Sequence, residues 1–75
     1  MFDRLKETLV NSLSVNADDI TMEAELTGDL GLNSLELADL VYNCEENFGV
    51  VIDDDALQNF VTVGDVVKYL EEQLN

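Results

Sequence analysis

The chain has 75 residues, with 17 acids against 3 bases, no histidine and one cysteine, for a formal net charge of −14 at pH 7. That length supports one small domain over residues 1–75, near the lower limit for folding without disulfides or metals. The acid excess excludes nucleic-acid binding through phosphates, which needs Lys and Arg, and argues against stable association with an anionic membrane.

The first predicted element is a helix from Phe2 to Leu13, with Phe2, Leu5, Leu9, Val10 and Leu13 as its apolar stripe. Its start lacks the basic-then-apolar order of a secretory leader. No later stretch approaches the roughly 18 continuous apolar residues of a membrane span. A cytoplasmic protein is therefore expected. A long connection follows, from Ser14 to Asn33, in which Ile20, Met22, Leu26, Leu30 and Leu32 are expected to pin the chain onto the core. Connections of this length inside a small domain usually carry function or turns of their own.

The second predicted helix runs from Ser34 to Phe48 and stops at Gly49, with Leu37, Leu40, Val41, Cys44 and Phe48 on its apolar face. Asn33 is a good N-cap, and Glu36, three residues on, completes a capping-box pair. Ser34 then falls in the first turn, near free backbone N–H groups and the positive end of the helix dipole, a favourable place for a phosphate. Local sequence leaves two readings of Ser34 open: an ordinary helix-start serine, or an attachment point. Cys44, on the apolar face, reads as buried packing in a reducing compartment, with a reactive thiol as the alternative.

Val50-Val51-Ile52 is expected to be an extended loop that buries Ile52, since no partner strand is apparent. Asp53-Asp54-Asp55 caps a short helix to about Asn59. Thr62-Val63-Gly64-Asp65 opens a last helix to about Leu74, with Val63, Val66, Val67, Leu70 and Leu74 as its stripe. Gly64 near its start carries a propensity cost. The predicted fold is all-α: a small four-helix bundle with a long first loop and a short third helix.

The residue inventory argues against an enzyme. Without histidine there is no Ser-His-Asp or Cys-His site, and soft ligands are too few for zinc. A calcium loop starting at Asp53 fails, because its sixth position is Gln58 and its twelfth Gly64. No catalytic residue and no metal ligand set is expected. The acids suit partners with basic patches. On the second helix Glu36, Asp39, Glu45 and Glu46 are the candidate docking acids, a merely solvated face being the plainer alternative. Strong like charge makes a monomer the expected state.

The segment Asp29-Leu30-Gly31-Leu32-Asn33-Ser34-Leu35 is similar to the D-L-G-x-D-S-L attachment motif of the acyl carrier protein family. Glu45-Glu46-Asn47-Phe48-Gly49-Val50 resembles the close of that family's second helix, and Thr62-Val63-Gly64-Asp65-Val66 the start of its last. The resemblance extends over nearly all the chain. It implies that Ser34 is esterified with 4′-phosphopantetheine, taken from coenzyme A by a phosphopantetheinyl transferase. It also implies that the thiol of that arm, not Cys44, carries acyl groups as thioesters among acyl-processing enzymes of dissociated fatty acid synthesis. The aliphatic core, which lacks tryptophan, is expected to open between helices to shelter the acyl chain. A carrier of a specialised polyketide or peptide pathway would share the same fold and serine. An unmodified acidic helical interaction module is the reading of a different class. Two residues depart from the family pattern: Asn33, where aspartate is usual, and Asp53, where many relatives have proline.

Overall fold

Helices form where the apolar spacing predicts them in the computed structural model, which describes residues 1–74. Helix α1 (Phe2–Leu13) buries Leu5, Thr8 and Leu9. The Thr8 hydroxyl donates to the Arg4 carbonyl at 3.1 Å, so this buried polar group is satisfied within its own helix. The helix ends at Ser14 in the left-handed conformation, φ 56°, with the Ser14 and Val15 amides both donating to the Leu9 carbonyl. Helices α2 (Ser34–Phe48), α3 (Asp54–Gln58) and α4 (Val63–Leu74) complete the all-α fold, with its long first connection and short third helix.

The core is built from Leu5 and Leu9 of α1, Leu40 and Cys44 of α2, and Val63, Val66, Val67 and Leu70 of α4. The long connection adds Ile20, Ala24, Leu26 and Leu32, and the loop after α2 adds Val50 and Ile52. Burial of this aliphatic set is the main favourable term available to so small a chain.

The connection between α1 and α2 is ordered by more than its apolar residues. It opens with a 3₁₀ turn, Ala17–Asp19, capped by the Asn16 side chain, which accepts from the Asp18 amide at 3.0 Å. Farther on, Glu25 and Thr62 form an antiparallel bridge. The Leu26 amide donates to the Val61 carbonyl at 2.8 Å, the Val63 amide to Ala24 at 2.9 Å, and the Gly64 amide to Met22 at 2.8 Å. The first N–H groups of α4, which have no partner inside their own helix, are thus met by carbonyls of the distant connection. This contact pins the loop and starts α4 at once.

Two side chains depart from the sequence expectation. Met22 is 41% exposed: its backbone carbonyl accepts from the Gly64 amide, and its side chain lies over the start of α4 without being covered. Leu74 is exposed, since the last turn of α4 runs past the core. Phe48, on the predicted apolar face, is half-buried against the core at the end of α2, with the Arg4 guanidinium 4.8 Å from its ring centre in a cation–π contact.

Candidate functional site

The approach to α2 is a tight turn. The Asp29 and Leu30 amides both donate to the Glu25 carbonyl at 3.0 Å, and the Asp29 carboxylate accepts from the Glu25 amide at 2.7 Å. Gly31 has φ 69°, a left-handed conformation that glycine adopts without penalty. Leu32 is buried, and its amide donates to the Leu26 carbonyl at 3.0 Å. That anchor fixes the chain one residue before Asn33 and leaves Asn33 and Ser34 exposed at the surface.

The predicted capping box is present in full. The Asn33 side chain accepts from the Glu36 amide at 2.8 Å, and the Glu36 carboxylate accepts from the Asn33 amide at 3.2 Å. An α-helix leaves its first N–H groups without intrahelical partners. Here Asn33 and Glu36 satisfy each other's, so among the described residues the Ser34 and Leu35 amides are the two left at the open end of α2. The Ser34 hydroxyl shares that end. An anion esterified to Ser34 would meet two N–H donors and the positive pole of a 15-residue helix. The site therefore fits a phosphodiester. With no histidine in the chain, the commonest side-chain base near neutral pH is absent from this end of α2.

The four candidate docking acids separate into two pairs. Glu36 is half-buried and held in the capping box. Glu45 is also half-buried, its carboxylate accepting from the Ile52 amide at 2.9 Å. Asp39 and Glu46 are exposed, and helical spacing aligns them with Leu35, 77% exposed, and Tyr42, 61% exposed. Leu35, Asp39, Tyr42 and Glu46 make one stripe leading away from Ser34, opposite the face that buries Leu40 and Cys44. Glu46 beside Tyr42 pushes the phenol above its usual range by hydrogen bonding and by its charge.

Leu35 and Tyr42 were not among the residues singled out from sequence. The signal was available: both are large apolar residues off the buried face of the periodic pattern, where scattered polar residues are the norm.

Cys44 is fully buried, and its thiol is pushed up to about 12, first by burial and then by the nearby Glu45 charge. It is inert as a nucleophile near neutral pH. No helix among the described residues is long and apolar enough to cross a membrane.

The family model for the phosphopantetheine attachment site matches residues 3–70. The acyl carrier protein of Clostridium perfringens (strain SM101 / Type A) is 47% identical over 72 residues, covering 96% of this chain and 95% of the relative. That of Petrotoga mobilis is 44% identical over 75 residues, covering all of this chain and 88% of the relative. The Thermotoga maritima acyl carrier protein is 43% identical over 74 residues, covering 99% of this chain and 91% of the relative.

Proposed function

The chain belongs to the acyl carrier protein family, non-catalytic carriers with covalently bound 4′-phosphopantetheine, and on that premise we propose that Ser34 is the attachment residue. One observation carries the reading: an exposed hydroxyl in the first turn of α2, beside the two amides that the Asn33–Glu36 capping box leaves without partners. Residues 1–75 are read as one acyl-carrier domain.

Loading requires a phosphopantetheinyl transferase, the family's modifying partner. The Ser34 oxygen forms a new bond to the β-phosphorus of coenzyme A, the pyrophosphate bond breaks, and 3′,5′-ADP leaves. The serine proton passes to a base of the transferase, since this chain holds none suited to it. The group supplies, when bound, a thiol that takes up acyl chains as thioesters. The chain's own residues present the serine, hold the helix end that faces the phosphodiester, and recruit the enzymes that act on the cargo.

Recruitment is assigned to α2. Asp39 and Glu46 lie beside Leu35 and Tyr42, so a partner's basic residues would be steered by charge onto a small apolar stripe. A limited interface of this kind releases quickly, as a carrier visiting several active sites requires. Glu36 and Glu45 remain docking candidates, with part of their hydrogen-bonding capacity already engaged. The net charge of −14 supports a monomer, and a reducing, coenzyme A-containing compartment, the cytoplasm, is the setting this reading requires.

The pathway assigned is dissociated fatty acid synthesis, supported by relatives named acyl carrier protein whose length this chain nearly matches. Asn33, in place of the aspartate usual before the serine, is the observation that favours a specialised polyketide or peptide pathway as the second reading.

The test is intact mass after incubation with coenzyme A, magnesium and a broad-specificity phosphopantetheinyl transferase, beside Ser34→Ala. The wild type gains one phosphopantetheine and the variant gains none. A gain on the variant moves attachment elsewhere. No gain on a folded wild type, nor on Asn33→Asp, returns the chain to an acidic interaction module.

A further inference from the structure

Glu45 acts at the far end of α2 from Ser34. Gly49, left-handed at φ 68°, turns the chain out of the helix, and the next residues run as an extended strap into the Asp53 cap of α3. Val50 and Ile52 are each 8% exposed and Val51 is 76% exposed, so two apolar plugs enter the core on either side of an outward residue. Among the described residues no backbone–backbone hydrogen bond reaches Val50, Val51 or Ile52. Two side chains supply what the backbone lacks. The Glu45 carboxylate accepts from the Ile52 amide at 2.9 Å, and the Tyr69 hydroxyl donates to the Val51 carbonyl at 3.1 Å. One peg comes from α2 and the other from α4.

We propose that Glu45 is a positioning residue that clamps this strap over the core, and that a partner's guanidinium, by taking the Glu45 carboxylate, releases it. Arg4, which reaches this end of α2, is engaged over the Phe48 ring, and the Ile52 amide is the hydrogen-bond partner of the Glu45 carboxylate among the described residues. A docking arginine therefore finds a carboxylate whose present partner is one neutral amide. A guanidinium offers two parallel, charge-assisted donors and outcompetes that amide. The Ile52 N–H must then find water, which the edge of the core admits only if the strap lifts. Docking at Glu45 and loosening of the strap are in this way one equilibrium, biased by whichever donor holds the carboxylate.

The release step rests on the docking reading above, yet its test needs only the unmodified chain. Amide hydrogen exchange is followed at Ile52, with the amide of Leu70, fully buried in the interior of α4, as internal reference against global unfolding. Glu45→Ala raises Ile52 exchange about tenfold or more relative to Leu70, as loss of a hydrogen bond to a charged group dictates. Glu45→Gln keeps an acceptor oxygen and stays near wild type. A tetra-arginine peptide speeds Ile52 exchange in the wild type and leaves Glu45→Gln unchanged. Unaltered Ile52 exchange in Glu45→Ala overturns the clamp. A peptide effect that is absent from the wild type, or equal in both chains, overturns the release. Neither result bears on whether Ser34 is modified, so this inference and the attachment reading fail separately.

Discussion

The Gly64 amide donates to the Met22 carbonyl at 2.8 Å, and a β-carbon on Gly64 would stand 2.9 Å from that same oxygen. The pair accounts for a glycine in the first turn of α4, where alanine would gain about 1 kcal/mol of helix propensity. Close approach of two backbones outweighs the propensity. It also ties the α1–α2 connection to the helix most deeply set in the core.

Gly64→Ala is accordingly expected to destabilise the chain by about 1–3 kcal/mol, the usual range for overpacking, despite its better helix propensity. Denaturant unfolding with a common slope measures it. A midpoint equal to or above wild type would mean that the connection yields to a methyl group at no cost.

The Asn33 cap gives a second pair of variants. Asn33→Ala removes the acceptor for the Glu36 amide and is expected to cost about 1 kcal/mol. Asn33→Asp keeps that acceptor and adds a negative charge at the positive end of α2, so stability holds or rises slightly. Phosphopantetheine transfer rates for wild type and Asn33→Asp then isolate the effect of the added charge beside Ser34. Equal rates would show that the transferase does not use it.

Asp65 gives the chain an acid-sensitive contact. Its carboxylate accepts from the Thr62 and Val61 amides, each at 3.0 Å, and these bonds hold it below the ordinary aspartate value. A group with a depressed folded pKa contributes stability above its unfolded pKa and loses it as pH falls through the folded one. Wild type is therefore expected to exceed Asp65→Ala in stability at neutral pH. The gap should narrow below about pH 3.9, the ordinary aspartate value. The paired comparison is needed because neutralising the other acids relieves self-repulsion in both chains. Parallel melting curves across the acid range would contradict the assignment.

Cys44 separates the two thiols a loaded carrier would hold. Because Cys44 is fully buried and its thiol is pushed up to about 12, the folded, unmodified chain should react negligibly with an alkylating reagent near neutral pH. Transfer to Ser34 should add one fast-reacting thiol, and denaturation should reveal the second. Rapid alkylation of the folded, unmodified chain would show that the α2 core opens far more readily than its packing implies.

Much of this was legible in the sequence. The bounds of α1 and α2 follow from apolar spacing and from caps that act within one turn: Asn33 with Glu36 at one end of α2, Gly49 at the other. Thr62 and Asp65 at the start of α4 follow the same local rule, the Thr62 hydroxyl accepting from the Asp65 amide at 3.2 Å. The setting of Ser34 was readable for that reason. Met22 and Leu74 were not, because apolar character fixes only a tendency to be covered, and neither side chain had a neighbour within its own segment to cover it. Glu45 was misleading in a different way: on an acidic helix it looks like any other exposed acid until the Ile52 amide is brought to it.

The sequence by itself determined the helices, the surface position of the serine and the sign of the field around it, because each depends on residues within a turn or on composition. Only the tertiary structure decided that the α1–α2 connection runs through the Glu25–Thr62 bridge to cap α4. It alone separated Glu36 and Glu45, engaged with backbone amides, from Asp39 and Glu46, exposed on the stripe with Leu35 and Tyr42. Those outcomes rest on hydrogen bonds and burial between chain segments brought together by the collapse of the apolar core. Such contacts leave no periodic trace along the chain.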